Sequence, residues 1–381
     1  MHSAEAAVLI VAGEVSGDMH AGRLAASVRQ RRPGLTFFGI GGYRMREAGV
    51  ETQYDVHDMA VTGITEALRK LPFLRRVFLE TVAAARERRP AAAILIDYPG
   101  FNLRLAARLH AMGIKTLYYI CPQVWAWHRA RISRMARNVD RLITILPFEK
   151  ECFDGTGPPV DFVGHPLVDE VRQPDRADAG PLPWNAGLRI ALLPGSRDHE
   201  VQALLPTMWA AAGLLQRKHP EAGFLIAAPS ARVEALAKHL VSGRAGGPSR
   251  CAVVAGRTRR IMRESRAALI ASGTATLEAS LLLCPAVITY KVSGLTYLAG
   301  RLLVRVPYLG LVNIVAGHEV CPELLQGRAT PAALAASLEP LLGDTPRRAA
   351  MLRDMREANR TLGPGGAVER AADIVARELP L

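Results

Sequence analysis

The chain has 381 residues, 49% hydrophobic and 22% charged, a balance that excludes a disordered chain and allows two domains that each bury a core. Lys plus Arg exceed Asp plus Glu by 48 to 35, a net charge of +13 that favours anionic partners: nucleotides, nucleic acid or an acidic membrane surface. Five scattered cysteines without a C-x-x-C pair point to a reducing compartment and no structural metal.

The opening M-H-S-A-E-A-A-V-L-I-V-A-G has no basic region, and its short apolar run ends in glycine. It reads as a first strand, Ala7 to Ala12, and not as a signal peptide. The turn Gly13 to Asp18 and a helix through Leu24 and Val28 follow, although G-x-x-x-G lacks the spacing of a dinucleotide fingerprint. Phe37 to Ile40 predicts a second strand, and Gly39, Gly41 and Gly42 a loop open to close ligand approach. In the next stretch, Leu71, Phe73, Leu74 and Phe78 interleave with Arg75 and Arg76, within a longer run from Leu68 to Leu79. That pattern suits either an interfacial segment, with bases on lipid phosphates and apolar side chains at the acyl boundary, or a core helix with a solvated basic face.

A third strand, Ala92 to Ile96, ends at Asp97-Tyr98-Pro99-Gly100-Phe101-Asn102, and Leu105, Leu109 and Met112 then recur at helical spacing. A carboxylate at a strand's carboxyl end can take the proton from an attacking hydroxyl, so Asp97 is a candidate base; an Asx turn or helix cap is the alternative. Glu14, Asp18 and His20 are weaker candidates, Asp18 reading best as a helix N-cap. Strands at Thr116 to Ile120 and Leu142 to Leu146 complete an alternation that predicts a parallel sheet with helices on both faces. Between them, Arg129, Arg131, Arg134, Arg137 and Arg141 read as a solvated basic face.

From Arg172 to Gly187 the chain is rich in Pro, Asp, Ala and Gly, the composition of a linker. Strands near Arg189 to Leu193, Phe224 to Ala227, Cys251 to Val254, Ala267 to Ala271 and Ala286 to Tyr290 then repeat the first architecture, and Ala332 to Leu381 is mostly helical. No stretch reaches the roughly 20 apolar residues of a spanning helix. Arg301 and Arg305 interrupt Leu295 to Ala316, so any membrane contact is expected to be peripheral.

Two strand-turn-helix junctions of the second half carry anion chemistry. At Ala267 to Ser280, Ser272-Gly273-Thr274 breaks an apolar strand and opens a helix near Ala275, whose free N–H groups and dipole suit a phosphate. Glu278 shares a face with that turn and can accept hydrogen bonds from ribose hydroxyls; an ordinary junction with a surface glutamate is the alternative. At Arg189 to Glu200, a Pro-Gly-Ser turn delivers Arg197, either as a diphosphate clamp or as a surface arginine paired with Asp198 or Glu200. Ligands of parallel sheets gather outside the strands' carboxyl ends, so both turns can serve one pocket in a cleft between two domains. No D-x-D occurs, which argues against the usual divalent-metal route for nucleotide sugars.

Taken together, V-A-G-E-V-S-G-D at 11–18, I-D-Y-P-G-F-N at 96–102, Y-I-C-P-Q-V-W-A-W at 119–127, L-P-F-E at 146–149, F-V-G-H-P at 162–166, L-L-P-G-S-R with Glu200, A-S-G-T-A-T-L-E at 271–278 and N-I-V-A-G-H-E at 313–319 resemble the lipid A disaccharide synthase family over nearly the whole chain. The resemblance implies a two-domain GT-B fold: residues 1–172 completed by C-terminal helices from about 346 to 381, a linker at 173–187, and a UDP-sugar domain at 188–345. It implies inverting transfer of 2,3-diacylglucosamine from its UDP form to 2,3-diacylglucosamine 1-phosphate (lipid X), without metal or cofactor, by a cytoplasmic enzyme peripheral to the inner membrane. By the same resemblance Asp97 is the base, Arg197 and Glu278 belong to the UDP site with Ser272, Gly273 and Thr274, and Ser16 and Asn313 line the active site. Asn313 has the alternative of capping a turn, and His165-Pro166, Trp125 and Trp127 are site residues or structural ones. Tyr98-Pro99-Gly100 stands where the family often has A-P-D, so a second carboxylate beside Asp97 is missing from that motif. Dimers that exchange the C-terminal tail are also implied. Two rivals stay open: a GT-B-like enzyme on a non-acylated UDP-sugar, such as an epimerase or soluble-acceptor transferase, and a non-catalytic RNA- or membrane-binding module. The latter lacks a stacking-aromatic motif, so nucleic acid is not expected as a partner.

Overall fold

Strand β1 (Ala7–Ala12) is buried along almost its whole length, and so is β4 (Ala92–Ile96). A parallel strand covered by helices on both faces needs an unbroken apolar run, and A-V-L-I-V-A and A-A-I-L-I supply one. The other strands of this sheet are β2 (Thr36–Ile40), β3 (Glu51–Tyr54), β5 (Lys115–Tyr119), β6 (Arg141–Thr144) and β7 (Val160–Phe162), in the order β3-β2-β1-β4-β5-β6-β7. Its pairings are parallel, with Ile10 set between Gly39 and Ile94. The second sheet contains β8 (Leu188–Leu193), β9 (Ala222–Ala228), β10 (Cys251–Ala255), β11 (Ala267–Ala271), β12 (Ala286–Tyr290) and β13 (Glu323–Leu325), again parallel, in the order β10-β9-β8-β11-β12-β13.

The computed structural model describes residues 6–59, 64–122, 124, 130–155, 157–173, 180–292 and 307–379. Trp125, Trp127, Arg129, Arg301, Arg305 and part of the linker lie outside the described residues. Among the described residues, no helix is long and apolar enough to cross a membrane.

The chain divides into two units, one running to Pro166 and resuming at Gly363, the other spanning Leu167–Leu362. The first division therefore comes at 166, before the linker-like composition begins. The return also comes later than expected. The Pro346–Thr361 helix buries Met351 and Met355 in the second unit's core, and its Asn359 exchanges hydrogen bonds of 2.8 Å with the backbone and hydroxyl of Ser280. Only the Ala367–Glu378 helix joins the first unit, where Ala371, Ala372, Ile374 and Val375 bury against Leu24 and Val28 of the Val15–Arg31 helix. Both C-terminal helices are amphipathic, and amphipathicity alone does not say which sheet an apolar face will meet.

Each sheet has a switch point where the winding reverses: between β1 and β4 in the first unit, between β8 and β11 in the second. Neighbouring loops there turn to opposite faces and leave a crevice at the carboxyl ends of the strands. The residues that follow β1, β4, β8 and β11 are the segments carrying Ser16, Asp97, Arg197 and Ser272.

Candidate active site

In the second unit the crevice is a cleft of about 470 Å³ lined by residues just beyond β8, β9, β10 and β11, including Ser196, Arg197, Thr258, Arg259, Ser272, Gly273, Thr274 and Glu278. The Thr274–Leu281 helix starts one residue earlier than the sequence predicts, with Gly273 as its N-cap. Gly273 has φ +146°, a conformation open chiefly to glycine, and among the described residues, its chain neighbours aside, no atom lies within 4 Å of where a Cβ would project. The N–H groups of Thr274 and Ala275 have no acceptor among the described residues. They form an anion-ready terminus. Ser272 is anchored: its N–H donates to the Thr289 carbonyl at 3.1 Å and its hydroxyl to the Leu309 carbonyl at 2.9 Å.

The turn after β8 is organised differently. Buried Glu200 accepts hydrogen bonds from the Ser196 and Arg197 N–H groups at 3.1 and 3.2 Å, so this helix terminus is capped by its own carboxylate. Glu200 also takes the Arg197 guanidinium at 3.1 Å, yet that side chain remains 66% exposed. Arg197 thus reaches the cleft with one ionic partner among the described residues and most of its side chain exposed.

Glu278 is not a solitary surface carboxylate. Arg259, at the opening of the Thr258–Glu264 helix after β10, donates from Nε to Glu278 at 2.8 Å and from Nη2 to Glu170 at 3.0 Å, while Nη1 donates to the Glu170 carbonyl at 3.0 Å. Sequence reasoning missed Arg259. Its one signal was position, because R-T-R-R follows Gly256, one residue beyond the apolar run of β10 at a strand's carboxyl end.

Asn313 is held inside the fold, where it ties a turn. Its side chain is fully buried and saturated by protein: Nδ2 donates to the Cys321 carbonyl at 2.8 Å and to Glu323 at 2.9 Å, and Oδ1 accepts from the Val320 and Cys321 N–H groups, each at 2.9 Å. Glu323 in turn accepts from the N–H groups of Leu309 and Gly310 at 2.9 Å. Asn313 therefore holds the loop to which Ser272 is tied, and has no hydrogen-bonding capacity left for a substrate.

In the first unit, Asp97 sits half-buried at the end of β4, with the Asp97 and Tyr98 backbones both left-handed at φ +43° and +46°. The strand-end turn is fixed by Asn102, whose Nδ2 donates to the carbonyls of Ile96 and Asp97 at 3.1 and 2.9 Å. Burial and the negative charge of Glu14 push the Asp97 carboxyl up to about 6, against a hydrogen bond from the Tyr98 backbone. Glu14 is thus a neighbouring carboxylate that the D-Y-P-G motif itself does not contain. Tyr98 donates to the Met59 carbonyl at 3.1 Å and lays its ring on Gly13, where a Cβ would fall 2.1 Å from the ring. Ser16 is exposed in the first turn of the Val15–Arg31 helix, on the β1 side of the switch point.

Asp18 lies inside that helix and is not its N-cap; it caps another segment, accepting from the N–H groups of Gly42, Arg44 and Met45 at 2.6, 3.0 and 3.1 Å. Three such bonds commit its carboxylate to holding that segment. His165 is buried, and desolvation beside His20 depresses it to about 4, which keeps it neutral.

The apolar and basic segment forms a helix, Ile64–Arg88, with Pro72 inside it. Phe73 meets Tyr54 edge-on at 5.9 Å and Phe78 meets Phe101 at 5.6 Å, and Leu74 packs on the same core. These three side chains are half-buried against the domain core, so each keeps only part of its surface for contact outside the domain. Leu71 and Leu79 are 55% and 52% exposed, with Arg75 and Arg76 exposed between them.

Two parallel-sheet units of this kind, each with a switch point in its strand order, define a GT-B fold. The crystal structure of UDP-GlcNAc 2-epimerase from Neisseria meningitidis bound to UDP-GlcNAc shares it at TM-score 0.65 and 13% identity, covering 97% of this chain and 100% of that one. MurG of Acinetobacter baumannii shares it at TM-score 0.59 and 13% identity, covering 98% and 99%. The fold thus hosts both epimerases and transferases, and sequence decides between them. Residues 8–375 match the family model of lipid-A-disaccharide synthetase. The lipid-A-disaccharide synthase of Anaeromyxobacter sp. (strain K) is 44% identical over 371 residues, 97% of this chain and 96% of that protein. The chain belongs to the lipid-A-disaccharide synthase family, glycosyltransferases of lipid A synthesis.

Proposed function

We propose that the chain transfers 2,3-diacylglucosamine from its UDP-linked form to the 6-hydroxyl of 2,3-diacylglucosamine 1-phosphate, releasing UDP and a β-1,6-linked disaccharide 1-phosphate. The observation that carries the reading is Asp97, a carboxyl pushed up to about 6 at the switch point of the first sheet. It is ionised at neutral pH and basic enough to take the proton as the acceptor hydroxyl attacks. Attack on the face opposite UDP inverts the anomeric centre. Ser16, on the β1 side of the switch point, orients the acceptor.

Arg197 and the free N–H groups of Thr274 and Ala275 take up the diphosphate charge as the glycosidic C–O bond breaks, so the reading needs no metal ion. Glu278 receives the ribose hydroxyls. The UDP-GlcNAc bound to the epimerase neighbour supports a UDP-sugar donor for the fold. Exposed Leu71 and Leu79 with Arg75 and Arg76 support contact with the anionic cytoplasmic surface of the inner membrane. The test is Asp97→Asn: kcat falls at least about 100-fold while UDP affinity stays within about twofold. Near-native turnover removes Asp97 as the base and the mechanism with it.

A further inference from the structure

Arg259 lines the same cleft as Arg197, but its bonding is of another kind. All three guanidinium nitrogens are engaged inside the protein: Nε on Glu278, Nη2 on the Glu170 carboxylate, Nη1 on the Glu170 carbonyl. Its side chain is 23% exposed against 66% for Arg197. A guanidinium committed in this way does not clamp a phosphate. It fixes the direction of a carboxylate, and it does so with a planar fork that a lysine cannot reproduce.

Arg259 bridges the two carboxylates, and with Glu170 5% and Glu278 16% exposed its positive charge sits between two largely buried negative ones beside the cleft. Loss of that bridge removes the fork that fixes the direction of the Glu278 carboxylate.

We infer that Arg259 is a positioning residue for nucleotide recognition: bridged from Glu170, it holds the Glu278 carboxylate aimed at the ribose diol, so that Arg259 and Glu170 set the selectivity for ribose over deoxyribose without touching the sugar. The inference rests on the proposal that this cleft binds the UDP moiety. Glu170 gives the sharper case, because it stands behind Arg259 and does not line the cleft.

The test compares UDP and 2′-deoxy-UDP by titration calorimetry on the full chain and on Arg259→Lys and Glu170→Gln, with donor KM and kcat measured in parallel. The native protein prefers UDP by about tenfold or more, the worth of a charge-assisted hydrogen bond. In both variants that ratio falls at least about threefold towards unity, donor KM rises, and kcat at saturating donor stays within about threefold. Should Arg259→Lys melt early, Glu170→Gln carries the comparison, since it keeps the arginine and the volume. Variants that bind UDP and keep the native ratio overturn this inference alone. A native protein that binds neither nucleotide overturns the UDP reading of the cleft, and the inference with it.

Discussion

Replacing Asn313 by alanine separates a structural from a catalytic role. The substitution orphans the N–H groups of Val320 and Cys321, both at residues no more than 1% exposed, and removes a donor from Glu323. Each buried donor left without an acceptor costs about 1–3 kcal/mol. Two of them, partly relaxed, give a loss of about 3 kcal/mol. For a unit of this size each kcal/mol lowers the melting temperature by roughly 2–4 °C, so scanning calorimetry should show a drop of roughly 6–12 °C. Turnover should fall with it, because the loop that Asn313 and Glu323 brace is the one receiving the Ser272 hydroxyl. Addition of UDP should restore part of both, by mass action on the folded form. An Asn313→Ala protein that melts like the native one yet loses turnover refutes this reasoning and returns Asn313 to the substrate.

The pH dependence of kcat/KM should show an acid limb near 6, activity rising as Asp97 loses its proton; Glu14→Gln removes the repelling charge and should move that limb to lower pH. A limb that does not move refutes the coupling. The folded pKa lies above the ordinary 3.8, so the native state holds the proton more tightly and stability declines as pH rises from 3.8 to about 6. Asp97→Asn should therefore melt higher than the native protein at pH 7, although it is inactive. Arg197→Ala should weaken UDP binding by about tenfold or more without lowering the melting temperature, given the exposure of its guanidinium; unchanged affinity would assign it to the surface. Gly13→Ala should depress turnover by pressing a methyl into the Tyr98 ring, and the Gly13→Ala, Tyr98→Ala double variant should recover relative to the single one.

The architecture was legible where burial leaves a chemical mark. β1, β11 and β12 fall on the predicted residues because strands covered on both faces are continuous apolar runs. The three missed strands, β3, β7 and β13, are edge strands of three or four residues with the sequences E-T-Q-Y, V-D-F and E-L-L, too short and too polar to stand out from a loop. The strand-end rule placed Asp97, Arg197 and Ser272 just beyond β4, β8 and β11, where the structure has them, because it needs only a local pattern and a fold class. It could not find Glu170 behind Arg259, a pairing across 89 residues that no local pattern encodes. Nor could it orient Phe73 and Phe78: an amphipathic run shows that a face exists, and only the partners Tyr54 and Phe101 show what it covers.

The central claim is lipid glycosyl transfer, and one assay bears on it most directly: purified protein, UDP-2,3-diacylglucosamine and 2,3-diacylglucosamine 1-phosphate in detergent with a chelator present, read by product mass and by the anomeric proton coupling of the new linkage. The account predicts one UDP released per disaccharide monophosphate formed, a β linkage, and no loss of rate with the chelator. No disaccharide, with turnover of UDP-N-acetylglucosamine in its place, would contradict the account while leaving the fold as described.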